Sequence, residues 1–187
     1  MKRLTFLIAS FAFIIAGTMI SFANTNDTDG HALLSLWKEY DQATKADKPK
    51  TQLEVLGKIK TEAVKQKQPW DFFDAARKTA DVRRRINWKD APQAREDYRK
   101  EIFDYGEPVV VVSYYLSAYS NTEAYGYIKE NRQKLEAGRH AAFYEQLGLL
   151  NNLPYGEVLV NQLKNDYEFA LWALFWHVVG WDNVFIG

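Results

Sequence analysis

Leu33 to Ala63, LLSLWKEYDQATKADKPKTQLEVLGKIKTEA, decides how the chain folds. Leu33, Trp37, Tyr40 and Ala43 recur at steps of three and four, the spacing that puts side chains on one face of a helix. Asp47-Lys48-Pro49 then interrupts the pattern, and Pro49 suits the first turn of a new helix, where its missing N–H is no loss. Leu53, Leu56, Ile59 and Ala63 resume the period on the far side. Two amphipathic helices joined by a few residues predict an αα-hairpin.

The same grammar extends outward in both directions. Pro69 opens a helix with Phe73, Ala76 and Ala80 on one face, and Arg83-Arg84-Arg85 suits its negative C-terminal end. A loop near Asn87 and Trp88 leads to Ala91, Ala94, Tyr98, Ile102 and Tyr105 in register. Asn121, a residue type that caps helices well, begins a run through Ala124, Ile128 and Leu135, which Gly138 stops. Pro154 opens a further helix through Val158 and Leu163, and Asn165-Asp166-Tyr167-Glu168 places acidic groups at the start of the last one. Val109-Val110-Val111-Val112 has strand propensity, but Pro108 before it and the spacing Val109, Val112, Leu116 favour helix. The expected architecture is all-α: about eight short helices in consecutive antiparallel hairpins, similar to tetratricopeptide-type solenoids but without a fixed period. Gly57, inside the second helix, marks either a close helix–helix approach or a tolerated exposed glycine.

The N-terminus carries a different signal. Lys2 and Arg3, an apolar stretch from Leu4 to Ile20, and Ser21-Phe22-Ala23 are the three parts of a cleavable leader. The expected organisation is a signal peptide over residues 1–23, a polar linker over 24–30 and a single helical domain over 31–187. An uncleaved anchor is the rival reading, although Thr5, Ser10, Gly17 and Thr18 dilute the apolar stretch. The chain contains no cysteine, so it has neither disulfides nor a lipid attachment site of the bacterial lipoprotein kind. Together these features predict an exported protein of the bacterial periplasm or cell envelope, with no stable membrane span after cleavage. Loss of Lys2 and Arg3 leaves acidic residues slightly in excess, which provides no electrostatic footprint for nucleic acid.

Chemistry-bearing motifs are sparse. His31, His140 and His177 are scattered, and Glu136 with His140, four apart, supplies only half of a usual metal site. No serine stands in a Gly-x-Ser-x-Gly elbow, and the ten glycines form no phosphate-cradling loop. Asp71 and Asp74 suit a helix start. Glu96, Asp97 and Glu101 interleave with Arg95, Arg99 and Lys100 as on a solvated, ion-paired face. No catalytic residue, metal ligand or cofactor is therefore assigned. Tyr114, Tyr115, Tyr119, Tyr125 and Tyr127 form the one dense cluster with a functional alternative: they are either core, or the lining of a recognition surface where a polar tip on an apolar ring is useful.

The last segment, from Phe169 to Trp181, is apolar on all sides, unlike a surface helix. It calls for neighbours on several faces, and the expectation is that one of them lies in further domains of a longer chain or in a protein partner.

Several stretches carry a resemblance: Leu36 to Ala63, Pro69 to Ala76 (PWDFFDAA), Asn87 to Asp90 (NWKD), Glu107 to Val110 (EPVV) and Asn165 to Trp172 (NDYEFALW). They are similar to the N-terminal region of large secreted bacterial alpha-2-macroglobulin-like proteins. The resemblance implies a helical module in a protease-inhibitor and envelope-defence setting, without enzymatic activity of its own. The family's bait region and thioester have no counterpart in this sequence. A free-standing periplasmic helical-repeat adaptor that binds a protein or peptide is the alternative.

Overall fold

The computed structural model describes residues 29–151 and 162–182. The leader, most of the linker and nearly all of the helix expected from Pro154 lie outside the described residues. Within them are nine α-helices, one short 3-10 turn and no strand: the fold is all-α. No described helix is long and apolar enough to cross a membrane.

The opening hairpin is formed by α1 (Asp29–Lys45) and α2 (Pro49–Lys65), followed by α3 (Pro69–Ile86) and α4 (Ala91–Tyr105). Each packs against the next. The connections after α1 and α2 share one design. Asp47 and Lys67 adopt left-handed backbone, with φ of 49° and 54°. Lys48 N–H donates to the Ala43 carbonyl at 2.9 Å, and Gln68 N–H to the Ala63 carbonyl at 2.8 Å. These bonds satisfy carbonyls the helix end would leave bare, and the next residue in each case is the proline that starts the following helix. Gln52, wholly buried, ties the first connection to α3: its Nε2 donates to the Ala43 carbonyl, and its Oε1 accepts from Arg85 at 2.6 Å.

α3 is the hub, packing against α2, α4, α5 and α8. Phe72, Phe73, Ala75, Ala76 and Val82 are buried along it. Phe72 stacks on Tyr105 with ring centroids 4.0 Å apart, and Phe73 meets Phe143. The short turn Trp88–Asp90 joins α3 to α4, its start capped by the Asn87 side chain, which accepts from Lys89 N–H. Arg83 fastens this corner by donating to Asp90 at 2.8 Å and Asp97 at 2.6 Å.

The valine run is helical. α5 (Pro108–Ser117) buries all four valines, because α3, α4, α6, α7 and α9 surround it; burial on every side, rather than β-propensity, selects these residues. The expected helix from Asn121 divides at Asn131 into α6 (Asn121–Glu130) and α7 (Arg132–Ala137), and Ser120, one residue earlier than expected, is the cap position of α6. α8 (Ala141–Asn151) returns to α3, and α9 (Asp166–Asp182) packs across α5, α6 and α7. Consecutive pairing thus describes α1 to α4, whereas the later helices close around α5. Gly57 has open space where a Cβ would stand, so it is the tolerated glycine rather than a close-approach site.

Candidate functional site

The five tyrosines do not form one surface. Tyr114 is buried edge-on against Tyr98, and Tyr115 packs between Phe103 and Tyr127. These three belong to the core and its margin. Tyr119 and Tyr125 are exposed, at 65% and 57%. Tyr125 sits on α6, while Tyr119 follows α5 in left-handed backbone (φ 57°). Three of the five are thus core or its margin, and Tyr119 and Tyr125 face outward.

Tyr114 and Tyr119 do share a groove. It has a volume of about 410 Å³ and runs between the second half of α3, the start of α4 and the end of α5. Arg77 and Arg84 come from α3, Arg95 and Tyr98 from α4, and Ser117 and Ala118 from the end of α5, over a floor of alanines. The path is open because Ala80, Ala91, Ala94 and Ala118 carry little bulk where larger side chains would fill the space between helices.

The polar groups of the groove are unevenly satisfied. Arg77 bonds Asp74 through Nη2 at 2.5 Å, and Arg84 bonds Asp81 at 3.2 Å. The buried Arg77 Nε finds no partner among the described residues, and the buried Tyr98 hydroxyl has no well-aligned one, though the Ser117 hydroxyl lies beside it. Arg95 was expected to pair with the acids interleaved with it; it makes no ion pair with any described carboxylate, since Glu96 pairs with Arg99, Asp97 with Arg83 and Glu101 with Lys60. Burial pushes the Tyr98 phenol well above its usual range, opposed by the nearby positive charge of Arg77 and by the Ser117 hydroxyl, so it stays a donor. Arg77, Arg84, Arg95 and Tyr98 were not legible as a site from sequence. Their only signal was the clustering of arginines near the end of α3, which a helix C-terminus explains equally well.

A second cluster lies where α5, α8 and α9 begin. Glu107 precedes α5, His140 precedes α8 and Asp166 opens α9, with Asn165 accepting from Glu168 N–H as its cap at 3.0 Å. His140 does not join Glu136, which pairs with Arg132. It turns instead to Asp166, Nδ1 to Oδ2 at 2.7 Å, while its backbone N–H donates to Oδ1 at 2.9 Å. The Tyr144 hydroxyl also donates to Asp166 Oδ1. Gly138 is required here, because a Cβ would stand 2.1 Å from Asp166 Oδ2. The hydrogen bond that His140 donates to Asp166, together with the nearby carboxylates, raises the His140 pKa against the opposing effect of burial, and burial raises that of Glu107.

One ligand atom each from Glu107, His140 and Asp166 falls within a 4.8 Å cluster, a set that could hold a divalent cation. Two observations favour a structural clasp. Asp166 already accepts three hydrogen bonds, and the positive ends of three helices converge on the carboxylates and offset their charge. Comparison with known proteins adds no relative: the chain matches no family model, no curated protein and no solved structure.

Proposed function

We propose that this chain is a non-enzymatic, exported helical module that docks a protein partner in the groove between α3, α4 and the end of α5. The observation that carries the reading is the groove itself, which combines an open alanine floor, an exposed tyrosine at the end of α5 and a buried Arg77 Nε with no acceptor among the described residues. Aromatic rings with polar tips beside arginine are the residue types that dominate protein-binding surfaces. The leader-like residues 1–23 support export. The stretches similar to alpha-2-macroglobulin-like proteins support an envelope-defence setting, in which the partner is a protease or another domain of the same assembly.

Site-specific photo-crosslinking tests the docking role. A photoreactive phenylalanine analogue replaces Tyr119 in one variant and Tyr125 in another, and the exporting bacterium is irradiated. Both positions are exposed, but only Tyr119 lines the groove. The expected outcome is one discrete adduct from position 119 and none from 125. Equal labelling from both positions, or none from either, contradicts the proposal.

A further inference from the structure

We infer that the groove takes an acidic segment of the partner, one rich in aspartate or glutamate. This inference rests on the docking role proposed above and adds the chemistry of the occupant. Three observations converge on it. Arg95, at the groove, has no described carboxylate within ion-pair distance, while its acidic neighbours in sequence are engaged elsewhere. Asp81 is the sole carboxylate among the described lining residues; it is held by Arg84 at 3.2 Å and lies 3.8 Å from Arg77. Arg77 is paired with Asp74 and Arg84 with Asp81, so Arg95 leaves the groove with one positive charge in excess, in a chain whose overall charge is balanced.

The third observation concerns donors. Arg77 Nε is buried and finds no partner among the described residues, and the buried Tyr98 hydroxyl has no well-aligned one, though the Ser117 hydroxyl lies beside it; both residues line the groove. A buried donor lacking an acceptor is costly, and a carboxylate is the strongest acceptor a protein segment can offer. The Tyr98 phenol meets it as a neutral donor and Arg77 as a charged one. A polybasic segment would meet Arg95, unpaired among the described residues, and a purely apolar one would leave both Arg95 and the Arg77 Nε unanswered. Nucleic acid, the other anionic polymer, needs a row of basic contacts along its backbone, and the described lining has only three arginines with Asp81 among them.

Fluorescence anisotropy on the purified chain tests the inference. The probes are labelled short peptides in three matched sets: glutamate-rich, the same sequences with glutamine, and the same with lysine. Glutamate peptides are expected to bind, with affinity falling as salt rises. Arg95→Gln and Tyr98→Phe should each weaken binding about tenfold, the loss expected for one such hydrogen bond. Lys50→Gln, on α2 away from the groove, should change nothing, and free glutamate, which has the charge without the chain, should not displace the peptide. Glutamine peptides binding as tightly, or displacement by free glutamate, would overturn the acidic-segment assignment. If position 119 crosslinks a partner but no glutamate peptide binds, the inference fails and the docking role stands. If neither occurs, both fail.

Discussion

His140 and His177 occupy opposite electrostatic situations in one fold. His140 gains a carboxylate partner, so its pKa is raised. The stability it contributes is present in full below the unfolded value and is lost as pH rises through the folded one. His177 is 7% exposed, its two ring nitrogens have no partner among the described residues, and burial lowers its pKa. The folded state therefore resists its protonation and loses stability as pH falls through the unfolded value. Denaturant unfolding at about pH 5.5 and about pH 8 separates the two: His140→Gln should cost about 1 kcal/mol more at the lower pH, whereas His177→Leu should become relatively stabilising there by a similar amount. Identical effects at both pH values would show that neither imidazole changes charge in this window. Sequence offered three scattered histidines and no means to tell these roles apart, because both depend on what packs against the ring. Pro49 and Pro69 were legible as helix starts. The left-handed backbone at Asp47 and Lys67 before them was not: aspartate adopts it more often than most residues but mainly does not, and lysine has no such preference.

Helices reveal a sharper division between what patterning shows and what only packing decides. The faces of α1 to α4 were readable because Leu33, Tyr40, Leu56, Ile59, Phe73, Ala76 and Ile102 recur at the helical period, and all are buried. α5 and α9 lack such a stripe. α5 is enclosed on all sides, and α9 buries Phe169, Ala170, Ala173 and Leu174 while Leu171, Phe175 and Val178 face outward. What places the start of α9 is the Asp166 clasp to the segment before α8, a contact spanning 26 residues of sequence that no local pattern encodes. Asp166→Asn replaces an acceptor oxygen with a donor facing other donors. It should cost about 3 kcal/mol and lower the midpoint of thermal unfolding by roughly 6–12 °C. An unchanged midpoint would show that the clasp does not hold α9.

At the scale of the whole molecule, consecutive hairpins leave a concave passage between α3, α4 and the end of α5, and the later helices close around α5 behind it. The all-α class was readable from periodicity. The groove was not, because its lining comes from three helices, and its arginines read in sequence as helix ends or solvated ion pairs. Two of the five tyrosines singled out from sequence, Tyr114 and Tyr119, do reach it. The most direct test of the docking account is amide hydrogen exchange on the purified chain, with and without a saturating glutamate-rich peptide. The account predicts slowed exchange in residues 77–84, 91–98 and 114–119, with α1 and α2 unchanged. Protection confined to α9, or spread evenly over the molecule, would contradict it.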